Sequence, residues 1–499
     1  MKNKALKSVC IAALAGVMTL GNLSAQESEF KPSSNFHGYV FGDVYVKSHA
    51  DSLGRGAGNV TYKGQNANQT TFQIRRAYIS WDYNFAKNFT SYITLANELG
   101  GSNPASSAIN PLGGAGFSNT DAFGQNTTYI KYAYLKWSNV FPMSNLLIGQ
   151  IPTPTFATSF NTEPIQGYRN MERTIMDLHN FDSSTDLGVG LNGKVWEAKG
   201  GDSTNKPVFV GYNAVIGNNQ GAKNQTDANT TMGATASPNN ITFAGNSFKK
   251  IRANVFVSLL NQQLTIGLNG DYVRNQLAAE NKATDLEKET STFKAYANYV
   301  HKWFSVGAEF FNVTNVNADV YQVVNNGVIN GTKITTPTQQ QGFSVWASAP
   351  IIRGKLNVYA RMDMFNPDTK YDANHLYSKT ASYSVPTAPT VANQASSSGD
   401  FASAATGANN LSALNAADVF YKQTFYTVAL DWTPNARVHI IPNIWYNGYD
   451  AMSSTALRAD GSTYKLTDVE KSSYDLVYRV TFHYIFNSSK TVANNGRDH

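Results

Sequence analysis

The feature that most restricts this chain is the rhythm of its connections. Sixteen segments read as β-strands, at about 36–47, 70–83, 89–98, 128–138, 145–150, 185–195, 207–217, 248–259, 262–275, 291–300, 303–315, 340–349, 355–366, 422–433, 436–448 and 474–486. The links between them run long, short, long, short without exception. The long ones are about 48–69, 99–127, 151–184, 218–247, 276–290, 316–339, 367–421 and 449–473. The short ones are about 84–88, 139–144, 196–206, 260–261, 301–302, 350–354 and 434–435. A soluble sandwich gives no reason for this order. A strand-built membrane barrel does, because its turns are short on one side and its loops long on the other. An even number of strands also returns both ends of the chain to the same side.

The strands carry the matching pattern. From Tyr474 to Phe486 one parity reads Leu476, Tyr478, Val480, Phe482, Tyr484, Phe486, and the other Asp475, Val477, Arg479, Thr481, His483. Such alternation gives one apolar and one polar face. An aliphatic middle that turns aromatic towards one end suits a strand facing lipid. In 248–259, Ile251, Ala253, Val255, Val257 and Leu259 oppose Lys250, Arg252, Asn254 and Ser258. In 355–366, Leu356, Val358, Ala360, Met362 and Met364 oppose Asn357, Arg361 and Asp363. The segments 36–47 and 128–138 alternate less cleanly, and their facing is open.

Past the N-terminus no apolar run is long enough for a membrane helix, so a membrane protein of this sequence has to be an all-β transmembrane barrel. Residues 1–25 read as a secretory leader, with Lys2, Lys4 and Lys7 before the apolar Val9–Leu20 and small residues up to Ala25. The expected organisation is a short periplasmic segment 26–35, a barrel over 36–486 and a tail 487–499. Cys10 lies in the leader's apolar core, so the exported chain has no thiol chemistry. Losing the leader lowers the formal charge from +6 to +3, too little to argue for nucleic acid. The loops 218–240 and 380–418 are rich in Ser, Ala, Thr, Asn and Gly, which reads as solvated surface.

Phe72-Gln73-Ile74-Arg75-Arg76-Ala77-Tyr78, with a tight turn at Ala86-Lys87-Asn88 and a second strand Tyr92–Glu98, resembles the start of the phosphate-selective porin O and P family. Ile148-Gly149-Gln150-Ile151-Pro152 resembles that family's strand end before its long third loop. Tyr168-Arg169-Asn170-Met171-Glu172-Arg173-Thr174 and Asp186-Leu187-Gly188-Val189 follow the same pattern. The likeness covers most of 36–220. It implies a 16-stranded outer-membrane porin of a Gram-negative bacterium, generally a homotrimer, passing small solutes or anions. Lipid, lipopolysaccharide and the barrel-assembly machinery are the implied partners. The chain departs from the pattern in the residues after Phe486, since such barrels usually stop at the aromatic.

Within that frame the inward parity names candidate pore-lining residues. Phe72 and Ile74 share one parity; Ala77, Ile79, Trp81 and Tyr83 share the other, so the apolar phase switches at Arg75-Arg76. A bulge there turns both arginines inward; without one, an arginine snorkels at the rim. Arg252, Lys294, Arg361 and Arg479 face inward against Asp271, Glu309 and Asp363, a surplus of positive charge that favours anions mildly. The competing reading is that these charges hydrate the wall and pair with one another. The third loop, 151–184, is expected to fold into the lumen as a constriction rather than lie outside as a lid. It carries Glu163, Glu172, Asp177 and Asp182 against Arg169 and Arg173, with His179, which is not a lysine ring for phosphate. No metal-ligand spacing, nucleophile elbow or phosphate loop is visible, so neither a cofactor nor an enzyme is expected. The alternative from another class is a secreted soluble β-rich binding or adhesion protein.

Overall fold

The structure, a computed structural model, describes residues 30–51, 67–98, 128–155, 171–179, 181–200, 206–219, 249–275, 288–325, 328–372, 375–378, 421–451, 455–457, 463–465 and 474–487. Residues 1–29, where the leader is expected, those beyond Asn487 and most of the long connections lie outside these residues.

Sixteen strands close into one antiparallel barrel. They are β1 Ser33–His49, β2 Gln69–Ala86, β3 Phe89–Glu98, β4 Tyr129–Phe141, β5 Ser144–Pro152, β6 Thr185–Glu197, β7 Phe209–Gly217 and β8 Lys250–Leu259. The second half is β9 Leu264–Asn275, β10 Lys288–Val300, β11 Ser305–Asn325, β12 Val328–Ile352, β13 Leu356–Asn366, β14 Tyr421–Asn435, β15 Val438–Ala451 and β16 Tyr474–Asn487. Each pairs with its sequence neighbour, and β16 returns to β1, with His37 opposite Asn487 and Lys47 opposite Val477. Both ends of the barrel segment therefore lie on the short-turn side. Every strand expected from sequence is present. One connection is corrected: 316–339 is not a loop. β11 and β12 stay paired out to Asn325 opposite Val328, and the short strand His375–Ser378 adds to the edge of β11. Its residues, such as Val320-Tyr321-Gln322-Val323-Val324, have the β-branched and aromatic content of a strand, so the hairpin simply continues beyond the barrel.

The polarity is that of a protein turned outside in. On β16, Asp475, Val477, Arg479 and Thr481 are buried inside while Tyr478, Val480 and Tyr484 face out. On β8, Ile251 and Val255 face out against buried Lys250, Arg252 and Asn254. Withdrawing a Val, Leu or Phe side chain from water stabilises by about 1.5–3 kcal/mol. Phe72, Ile74, Ile93, Leu268, Phe293 and many others on the outer face leave that stabilisation unused in water. Lipid supplies it, and closing the sheet leaves no unpaired edge in the hydrocarbon. This is a transmembrane outer-membrane barrel, not a two-sheet soluble sandwich.

The two strands of open facing are now explained. β1 turns Phe41, Asp43, Tyr45 and Lys47 inward, so aromatics occupy its polar face and blur the alternation. β4 pairs irregularly on both sides, with register shifts at Thr94/Leu95 of β3 and between Trp137 and Phe141. Gly149 of β5 has φ +125, and a Cβ there would sit 2.4 Å from the Ala133 carbonyl oxygen, so the Gly-Gln strand end requires glycine.

Candidate functional site

The register of β1 and β2 jumps from Phe41 opposite Arg76 to Gly42 opposite Ile74, so Arg75 is the extra residue of a bulge. The phase switch seen in the sequence is this bulge, and both arginines reach inward carboxylates. Arg75 is ion-paired to Asp43, its Nη2 donating at 3.0 Å, and Asp43 is fully buried. Asp43 also accepts from Gln73 Nε2 at 3.0 Å and Thr481 Oγ1 at 2.6 Å. Arg76 Nε lies 2.9 Å from Glu98, directly across the strand pair. Lys131 Nζ shares Glu98 at 2.9 and 3.0 Å, and the Tyr129 hydroxyl donates to it at 2.6 Å. Both guanidinium groups lie beside the Phe41 ring, 5.1 and 5.5 Å from its centroid.

The other candidates also point inward and also sit in pairs. Arg252 Nη1 is 2.8 Å from Asp186; Lys250 Nζ is 3.2 Å from Asp271. Lys294 Nζ is 2.7 Å from Glu309, and Arg361 Nε donates to Asp363 at 2.8 Å. Lys47 Nζ meets Asp475 at 2.8 Å. Arg479 donates to Asn443 Oδ1 and to the Met171 carbonyl. Sequence reasoning missed Asp43, Lys47, Glu98, Lys131, Lys250, Asp186 and Asp475 as wall charges. Parity alone points to at least four of them: Lys250 shares Arg252's face, Asp475 shares Arg479's, Asp186 opposes Leu187 and Val189, and Glu98 opposes Ile93 and Leu95. With them included, the surplus of positive charge is offset by pairing.

Between β5 and β6 the described part of the third loop runs round the inner wall. Met171 accepts from Arg479 on β16; Glu172 accepts from Trp445 Nε1 on β15 at 2.7 Å. The Arg173 carbonyl accepts from Arg361 on β13 at 2.7 Å. Thr174 then caps a single helical turn, α1 Ile175–Leu178, by accepting from the Asp177 N–H at 3.4 Å. Ile175 and Met176 pack on Phe311, Val313 and Phe365 of β11 and β13. Asp182 takes Arg252 Nη2 at 2.8 Å and Lys250 Nζ at 3.1 Å on β8. Burial alone would raise the Asp182 carboxyl, but those two cations outweigh it and hold it well below the usual carboxylate range. The departing limb is tied as well, since Lys294 Nζ donates to the Thr155 carbonyl at 3.0 Å. Asp177, salt-bridged to Arg173 at 3.8 Å, lies within electrostatic reach of Arg76. Both signs of charge therefore meet where the loop faces the β2 wall. Glu163 and Arg169 lie outside the described residues.

His179 stacks on Phe365 with ring centroids 3.6 Å apart. Burial, with the Arg173 charge adding to it, pushes its pKa from 6.5 down to about 3. The folded state thus binds fewer protons than the unfolded one between those values, and stability falls as pH drops from about 6.5 towards 3. We expect the loop packing to loosen in that window, read as increased open-channel noise and lower heat resistance. His179→Gln should flatten that part of the profile; an unchanged profile would show that another group controls it.

No family model matches the chain, and no curated protein matches it. Among solved structures it is similar to the outer membrane channel DcaP of Acinetobacter baumannii, at 12% identity over 93% of this chain and 100% of that one, with TM-score 0.46. It is similar to an anion-selective porin from Comamonas acidovorans, at 12% identity over 91% and 100%, with TM-score 0.44. OprB of Pseudomonas putida is similar at 11% identity over 91% and 94%, with TM-score 0.44. At these identities and scores the likenesses carry no inference about what this chain conducts. None of these likenesses confirms the porin O and P family in particular.

Proposed function

We propose that the chain is a passive outer-membrane diffusion channel for small hydrophilic solutes and ions. The observation that carries this reading is the barrel's inner wall of paired charges, with the third-loop segment from Met171 to Asp182 laid along it from β16 to β8. Wall charges that are already answered by partners offer no site that holds one passing ion strongly, which passage requires. Planar-bilayer recording of the purified chain should give discrete conductance steps; their absence in a correctly folded preparation would overturn the proposal.

The finer reading is a mild anion preference. The charge of +3 left after the leader supports it, as does the Arg75–Arg76 pair; the matching carboxylates keep it mild. Replacing both arginines by Gln removes two positive charges and leaves Asp43 and Glu98 without their guanidinium partners. The reversal potential in asymmetric salt should move towards cations, most at low ionic strength, where wall charge is least screened. An assembled double variant with unchanged selectivity would place the pair off the permeation path.

The N-terminal pattern of Lys2, Lys4, Lys7 and the apolar Val9–Leu20 supports leader removal after Ala25, and resemblance to the porin O and P family supports a homotrimer and insertion by the barrel-assembly machinery beside lipopolysaccharide. The long loops 218–247 and 367–421 then face outside. Epitope tags there should be reached by antibody on intact cells, and labelling only after permeabilisation would reverse the orientation.

A further inference from the structure

We propose that the short-turn rim between β10 and β15 binds the phosphate of an anionic phospholipid, with Trp303 as the apolar anchor. The proposal rests on the membrane-spanning fold and not on conductance. The contrast with the interior is what points to it. Inside, cations meet carboxylates. On this rim, the turns 301–304, 353–355 and 436–437 carry Lys302, Arg353, Lys355 and Arg437, and none has an ion-pair partner among the described residues. Between the strand ends, the described residues of the other short turns add Lys87, Lys199 and Lys206 and no carboxylate.

The cations surround an exposed tryptophan. Trp303 is 53% exposed, with the Arg353 guanidinium 3.7 Å above its ring and Lys302 Nζ 6.0 Å from the ring centroid. The 353–355 turn is tied to β14 by the Thr433 N–H donating to the Lys355 carbonyl at 2.8 Å. Phe304, Ile351 and Ile352 beside them are also exposed. A free phosphate ion has no use for that apolar surface. A phospholipid has use for both halves: its acyl chains cover Phe304, Ile351 and Ile352 while its phosphate meets Lys302, Arg353 and Lys355. Charge complementarity selects an anionic lipid, since a zwitterionic headgroup brings its own cation. Each basic side chain at such a surface is worth roughly fivefold in association at low salt.

The test uses the full chain reconstituted in phosphatidylcholine bilayers with increasing fractions of lipid brominated in its acyl chains, which quenches nearby tryptophan. Subtracting Trp303→Phe isolates the Trp303 emission. Brominated phosphatidylglycerol should quench it at a several-fold lower fraction than brominated phosphatidylcholine. The preference should vanish at molar salt, where charges beyond about 3 Å are screened. It should also vanish in the triple variant Lys302→Gln, Arg353→Gln, Lys355→Gln, checked for folding by its heat-modified gel mobility. Equal quenching by the two lipids, or a preference kept by the folded triple variant, overturns the proposal. Relief of quenching by inorganic phosphate at constant ionic strength marks a free-anion site and overturns the lipid assignment. The salt titration reads wild type alone, so the proposal stays falsifiable if the triple variant does not fold.

Discussion

Replacing Lys294 by methionine is expected to be the most damaging single change in the barrel wall. Lys294 is fully buried, and its ammonium serves Glu309 at 2.7 Å and the Thr155 carbonyl at 3.0 Å. Methionine fills much of the volume but leaves the Glu309 carboxylate enclosed without its cation. Removing one partner of a buried pair costs about 3–5 kcal/mol, more than the pair itself contributes. The temperature at which the folded band converts to the unfolded one on a gel should fall sharply. Adding Glu309→Leu should recover most of the loss, because the second change removes the stranded charge. That recovery separates charge burial from simple loss of packing. If the single variant is as heat-resistant as wild type, Glu309 is reached by water and the pair is not enclosed.

The second large effect is expected at Asp182. Its carboxylate holds the returning limb of the third loop to Lys250 and Arg252 and accepts from the Thr155 hydroxyl. Asparagine keeps the shape but loses the charge, and hydrogen bonds to a charged group are worth about 1.5–3 kcal/mol each. Arg252 and Lys250 keep Asp186 and Asp271, so the wall itself should stay intact. The expected result is a barrel with nearly normal heat resistance, a higher single-channel conductance and more frequent flicker. Normal conductance in Asp182→Asn would mean that packing of Ile175 and Met176 on Phe311 and Phe365 suffices to place the loop.

These two residues also show what can be read without coordinates. Period-two alternation reveals strand, facing and parity, so Lys294, Glu309, Arg252 and the last strand are legible from local sequence. The Arg75–Arg76 phase switch is legible as well, because a bulge must shift the parity of everything after it. Partnership is not. That Arg76 lies opposite Glu98, or that Lys47 meets Asp475, depends on register between strands, which parity leaves open by any even slip. The route of the third loop was equally hidden. Its anchors are mostly backbone carbonyls and single side chains on distant strands, and no local pattern marks Trp445 as the donor to Glu172. The β11–β12 extension is hidden because its β-branched residues are interrupted by Asn, Gly and Thr and alternate weakly, so the segment reads as loop unless its two halves are set against each other.

The seam between β1 and β16 has a consequence for production of the protein. Its side-chain contacts join residues about as far apart as the chain allows, Asp43 to Thr481 and Lys47 to Asp475. A chain that stops short of Tyr474 therefore carries an open strand edge together with Lys47, an inward charge whose carboxylate was never made, and with Asp43 short of one of its donors. Hydrocarbon penalises both defects. Closure and membrane burial thus depend on the last strand to be made: a copy that ends before it has no edge-free form to place in hydrocarbon.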